Sequence, residues 1–156
     1  MTSCSPPAKY MLDTVIFNRL LDGDIEIEHF PADGYLVATD LQRLEIENTK
    51  DSQRKNSLLS LFGRVTHGLE SNSPVWGAMT WGRMQWPSSS ADNILSRLQA
   101  QRSNSRYRKR KLQSDTMDSL IADAALLNGC RLLTCDSDLA DIINQIAPGG
   151  ALLISL

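Results

Sequence analysis

Four carboxylates, Asp13, Glu45, Asp118 and Asp136, stand at comparable places in a chain of 156 residues. Asp13 follows the short apolar run Tyr10-Met11-Leu12 directly, and Asp136 stands at the end of the strand pattern Arg131-Leu132-Leu133-Thr134, with Cys135 between. Glu45 and Asp118 fall in the early turns of helical patterns that follow loops. In a parallel α/β sheet all strand ends of this kind open on one edge, so acids distant in sequence converge there. Carboxylates facing one crevice repel unless they share protons or bind a cation. A site of hard oxygen donors selects Mg²⁺ or Mn²⁺, which keeps several waters when bound. Singly, each acid has an ordinary explanation: Asp118 could complete a cap with Asp115, Asp136 and Asp138 could cap the next helix, and Glu45 could be solvated. Their matching positions are what makes a shared site the better reading.

The elements that must position them can be read in order. After Pro6 and Pro7, the stretch Lys9–Leu12 is a buried strand, and Val15, Phe17, Leu20 and Leu21 suit a helix that Gly23 stops. An acidic connector follows, in which Ile25 and Ile27 alternate as in a small edge element, and Pro31-Ala32-Asp33-Gly34 is a turn. Residues 34 to 39 read as a second buried strand. Thr39-Asp40-Leu41-Gln42 is a capping box that starts a helix near Asp40. Leu58, Leu59, Leu61, Phe62 and Val65 give a further helix its apolar face, and residues 88 to 101 form another. A helix over 114–128, a strand over 131–134, a helix from Leu139 to Ile146 and a last strand over 151–156 complete the series. Strand and helix patterns alternate, which predicts βα units and a mainly parallel sheet.

The length suits one domain with its own core, spanning residues 1–156, with a variable middle segment at 68–111. In that segment Trp76, Trp81 and Trp86 are spaced by five, which collects them on no face of a regular element. They either pack within a small subdomain or offer bases or a partner a stacking surface. From Arg102 to Lys111 six of ten residues are basic, in a chain whose net charge is -2. Such a block is either a solvated face or a binder of phosphate backbone. Cys4, Cys130 and Cys135 lack CxxC spacing, which argues against a disulfide framework or zinc ribbon and for a reducing, cytoplasmic setting. No apolar run approaches membrane-spanning length. His29 and His67 belong to no catalytic constellation.

Four segments carry a resemblance to a known family: Met11-Leu12-Asp13-Thr14; Thr39 through Glu45-Ile46; Asp118-Ser119-Leu120-Ile121-Ala122 with Ala125-Leu126; and Leu132-Leu133-Thr134-Cys135-Asp136-Ser137-Asp138-Leu139. In order and spacing they resemble the PIN-domain nucleases, which include the VapC-type toxins. The resemblance implies a three-layer α/β/α fold and a metal-dependent endoribonuclease of single-stranded RNA. Its acidic quartet would be Asp13, Glu45, Asp118 and Asp136, binding Mg²⁺ or Mn²⁺, with Thr134, Asp115 and Asp138 in support and Glu47 competing with Glu45. Arg106, Arg108, Lys109, Arg110 and Lys111 would hold the RNA. The expected partners are RNA, an antitoxin protein and a second copy of the chain. Residues 68–111 depart from a minimal VapC-like pattern. A catalytically silent module that binds RNA or protein is the competing expectation, and a phosphoacceptor receiver domain ranks below both.

Overall fold

The computed structural model describes residues 7–66, 89–102 and 109–155. Its framework is a four-stranded parallel sheet of β1 (Ala8–Leu12), β2 (Gly34–Val37), β3 (Arg131–Thr134) and β4 (Ala151–Leu153), in the order β2-β1-β3-β4. The described helices are α1 (Thr14–Asp22), α2 (Asp40–Glu47), α3 (Ser52–Thr66), α4 (Ser89–Arg102), α5 (Lys109–Leu127) and α6 (Ser137–Ile146).

Alternation along the strands decides which helices cover which face. Met11, Val37, Leu132 and Ala151 point into one core with Ile94 and Leu98 of α4, Ile121 and Ala125 of α5, and Leu139 and Ile143 of α6. Tyr10, Leu12 and Leu133 point into the other, with Ile16 and Phe17 of α1 and Leu58 and Phe62 of α3. The rings of Phe17 and Phe62 meet at 5.4 Å between centroids, joining α1 to α3. Helix α2 contributes to both cores, Leu41 to the first and Ile46 to the second. The sheet is parallel, as the alternating pattern predicted, and the arrangement is the three-layer α/β/α one that the resemblance implied.

Several local details differ from the sequence reading. Strand β2 is an edge strand, half-buried except at Val37, because a compact apolar run does not reveal whether it has one neighbour or two. The connector around Ile27 forms a single 3₁₀ turn, Ile27–His29, and β4 ends at Leu153. Helix α5 starts at Lys109 rather than Ser114, so Asp115 and Asp118 lie in its second and third turns. Lysine and arginine are good helix formers, and the end of the basic run simply continues into the helix. Trp76, Trp81, Trp86, His67, Arg106 and Arg108 lie outside the described residues.

Gly34 shows how closely β1 and β2 are fitted. A Cβ there would come within 2.0 Å of the Ala8 carbonyl oxygen and 2.9 Å of Tyr10 Cε2. Gly34→Ala is therefore expected to lower stability by about 1–3 kcal/mol, as overpacking against backbone does. A urea-unfolding midpoint unchanged by the substitution would contradict this pairing.

Candidate active-site cleft

The site begins with strand register. Leu12 pairs with Leu133 in the parallel ladder, so the next residues, Asp13 and Thr134, emerge side by side at the carboxyl end of the two central strands. The Asp13 amide continues the ladder by donating to the Leu133 carbonyl at 3.0 Å. The Thr134 hydroxyl donates to Asp13 Oδ2 at 2.7 Å and accepts from the Asp136 amide at 3.0 Å. Thr134 thus fixes one oxygen of Asp13 and also ties down the loop that carries Asp136. Asp136 then opens α6 as its N-cap, with Oδ1 accepting from the amides of Asp138 and Leu139.

The capping box at Thr39 and Gln42 forms as the sequence predicted, with the Gln42 side chain accepting from the Thr39 amide at 2.8 Å. The Gln42 side-chain nitrogen Nε2 in turn donates to the Leu12 carbonyl at 2.9 Å. One buried glutamine therefore starts α2 and pins it against the end of β1. One turn on from this anchor, Glu45 is brought into the cleft that Asp13 also lines. Helical phase separates the two candidate glutamates, because positions two apart point about 200° from each other. Glu45 faces the cleft, whereas Glu47 pairs with Arg43 at 3.1 Å on the exposed side of α2.

Asp13, Glu45, Asp118 and Asp136 all line one open cleft of about 430 Å³, together with Thr14, Val15, Asn18, Arg19, Asp22 and Cys135. Four elements well separated in sequence supply the acids: the ends of β1 and β3, α2 and α5. Asp13 is only 2% exposed, and its Oδ1 is buried without a hydrogen-bond partner, as is Oε2 of Glu45. Burial pushes the Asp13 carboxyl up to about 6; the Thr134 hydrogen bond opposes the rise, and the charges of Glu45 and Asp136 add to it. Burial raises Glu45 as well. The neighbouring Thr14 hydroxyl offsets part of that rise, although its Oγ1 completes no hydrogen bond.

These features fit a hard cation in donor chemistry: oxygen ligands, mutual repulsion, and two buried oxygens with nothing to bond. Among the described residues, however, no three Asp, Glu, His or Cys side chains are gathered closely enough to hold a metal ion by themselves. Water and substrate oxygens would have to complete the coordination, which is the usual habit of Mg²⁺.

The other sequence candidates sit as follows. Asp115 is fully buried on α5, where its carbonyl accepts from the Ser119 hydroxyl. Asp138 accepts from Gln101 of α4 at 2.9 Å and does not line the cleft. Lys109, Arg110 and Lys111 form the first residues of α5, their side chains lying outside the described set. Sequence reading missed the wall contributed by α1. Thr14, Asn18 and Asp22 recur every fourth residue, a polar stripe that was the available signal. Arg54 of α3 grips this wall through both Asp22 oxygens, at 2.8 and 3.0 Å, and through Asn18 Oδ1 at 3.0 Å. That pairing holds the Asp22 carboxyl below its ordinary range.

Removing the Thr134 hydroxyl isolates its contribution. Thr134→Val keeps the shape but takes from Asp13 the hydrogen bond that favours its charged form. The predicted result is a further rise of the Asp13 pKa, measurable by carboxyl-resolved NMR titration; an unmoved titration would contradict the role assigned to Thr134.

No family model and no curated protein matches the chain. Among solved structures the chain is similar to FitAcB from Neisseria gonorrhoeae, with 15% identity, a TM-score of 0.37, and coverage of 86% of this chain and 93% of that one. A likeness at that level bears no argument, and the reading of this cleft rests on the chain's own residues.

Proposed function

We propose that the chain is a metal-dependent endoribonuclease that hydrolyses phosphodiester bonds of single-stranded RNA. The observation that carries the reading is the meeting of Asp13, Glu45, Asp118 and Asp136 in one cleft, with Asp13 Oδ1 and Glu45 Oε2 buried and unpartnered. An enzyme gains nothing from such oxygens in its empty state, since their burial costs stability. Supplying them with a cation makes them useful.

In this reading Asp13, Glu45, Asp118 and Asp136 hold Mg²⁺ or Mn²⁺. When bound, such an ion supplies water activation and stabilises the charge on phosphate oxygens. Thr134 fixes the orientation of Asp13, and Gln42 fixes the approach of Glu45. The basic residues Arg106, Arg108, Lys109, Arg110 and Lys111 counter the repulsion that an acidic cleft exerts on RNA. Within the proposal, a cytoplasmic toxin held by an antitoxin protein, and a homodimer, are the partner states that go with this chemistry. No described helix is long and apolar enough to cross a membrane.

One observation favours the second reading, a catalytically silent module: the absence of three closely gathered donors among the described residues. Incubating the protein with labelled RNA and Mn²⁺, beside an EDTA control and Asp13→Asn, separates the two. The nuclease reading expects cleavage that chelation and the substitution both remove. RNA binding without cleavage by the unmodified chain would establish the silent module instead, and cleavage that survives both treatments would contradict the metal mechanism.

A further inference from the structure

Building on the nuclease reading, we infer that Arg19 is the phosphate-binding arm of the cleft and that Asp24 is its resting partner. Among the described residues lining the cleft, five are acidic and Arg19 alone is cationic. A polyanionic substrate entering such a cleft needs a cation on the protein side besides any metal, and Arg19 is the group in place to serve.

The geometry of the helix end explains why Arg19 waits where it does. Gly23 terminates α1 in the left-handed conformation, with φ 78°, which costs glycine nothing. The Asp24 amide then reaches back to the Arg19 carbonyl at 3.0 Å, and the Gly23 amide to Leu20, the paired bonds of a Schellman ending. This closure brings the Asp24 side chain against the Arg19 guanidinium, where Nη1 donates to Oδ2 at 2.9 Å.

The contact is a single-point one, and both side chains are about 40% exposed, at 39% and 42%. Guanidinium groups present five donors, so one contact leaves the fork able to engage another oxyanion. Pairs at this exposure contribute little to stability. Exchanging Asp24 for a phosphate therefore costs the protein little, and a bidentate phosphate contact is the stronger partner. The neighbouring Asp22 is gripped by Arg54 through both its oxygens, and the hydrogen bond of Arg19 goes to Asp24.

The assignment predicts opposite effects from the two members of one ion pair. In EDTA, where no metal-dependent cleavage confounds binding, the affinity of the full chain for a fluorescein-labelled single-stranded RNA is read by fluorescence anisotropy. Arg19→Gln should weaken binding about tenfold, the worth of one charge-assisted contact. It should also reduce the slope of log K against log salt by about 0.7, one phosphate contact on a single strand. Asp24→Asn, which releases the arm, should tighten binding severalfold. Shifts in the same direction, or no shift, overturn the assignment, and so does a salt slope that Arg19→Gln leaves unmoved, since the loss of a distant charge removes no phosphate contact. Thermal melts of both variants establish that each is folded. If the unmodified chain binds no RNA, the nuclease reading and this assignment fall together. If RNA is bound and cleaved but the two shifts are not opposed, the assignment alone falls.

Discussion

Asp13→Asn is expected to reduce Mn²⁺-dependent RNA cleavage by about 10²–10⁴-fold, the kinetic equivalent of losing several kcal/mol of metal-based stabilisation. The same substitution should make the metal-free protein more stable at neutral pH. The sign follows from the raised pKa. The folded carboxyl titrates at about 6, whereas its ordinary value is 3.8. Between those values the folded chain holds a proton that the unfolded chain has released, so stability falls as pH rises through this window. Above it the penalty is complete, on the order of 3 kcal/mol at 1.36 kcal/mol per unit. Glu45, also raised by burial, contributes in the same direction. Asparagine has no charge to desolvate and can still accept the Thr134 hydroxyl bond. Urea unfolding at pH 4 and pH 8 checks the point: the unmodified chain should lose stability between them and Asp13→Asn should lose less. A variant that is inactive and also destabilised at pH 8 would mean that Asp13 is a structural group.

The second large effect separates two glutamates that lie two residues apart. Glu45→Gln should lower cleavage by about 10²-fold or more, since it replaces a cleft carboxylate with an oxygen of much weaker affinity for a hard cation. Glu47→Gln should change the rate less than twofold. Glu47 faces away on α2 and its exposed pair with Arg43 is worth about 0.3–0.5 kcal/mol as an i,i+4 contact. The comparison is well controlled, because both substitutions remove one negative charge from the same helix. Equal losses would point to a general electrostatic effect of α2 and not to a ligand at Glu45.

Much of this arrangement was legible because it depends on local rules. The strand ends at Leu12 and Thr134 were visible as apolar runs stopped by polar residues, and the capping box at Thr39 and Gln42 fixed the start of α2. Given those boundaries, register alone brings Asp13 beside Thr134. The choice between Glu45 and Glu47 was not legible, since it turns on helical phase relative to the sheet, and phase is set by the Gln42 bond to Leu12 across 30 residues. The early start of α5 was missed because a run of basic residues reads as a loop by charge, although each is a good helix former. Arg19 was invisible for another reason. Its significance depends on the lack of other described cations around the cleft, which only the assembled structure displays.

What the cleft acids do is most directly tested by Mn²⁺ binding, read as the loss of free-ion electron spin resonance signal on titration with protein. Binding to the unmodified chain should be lost or weakened at least about tenfold in Asp13→Asn, as follows when a ligand's contribution of 1.4 kcal/mol or more is removed. It should persist in Glu47→Gln. Mn²⁺ bound equally by the unmodified chain and by Asp13→Asn would contradict the assignment of this cleft as a metal site.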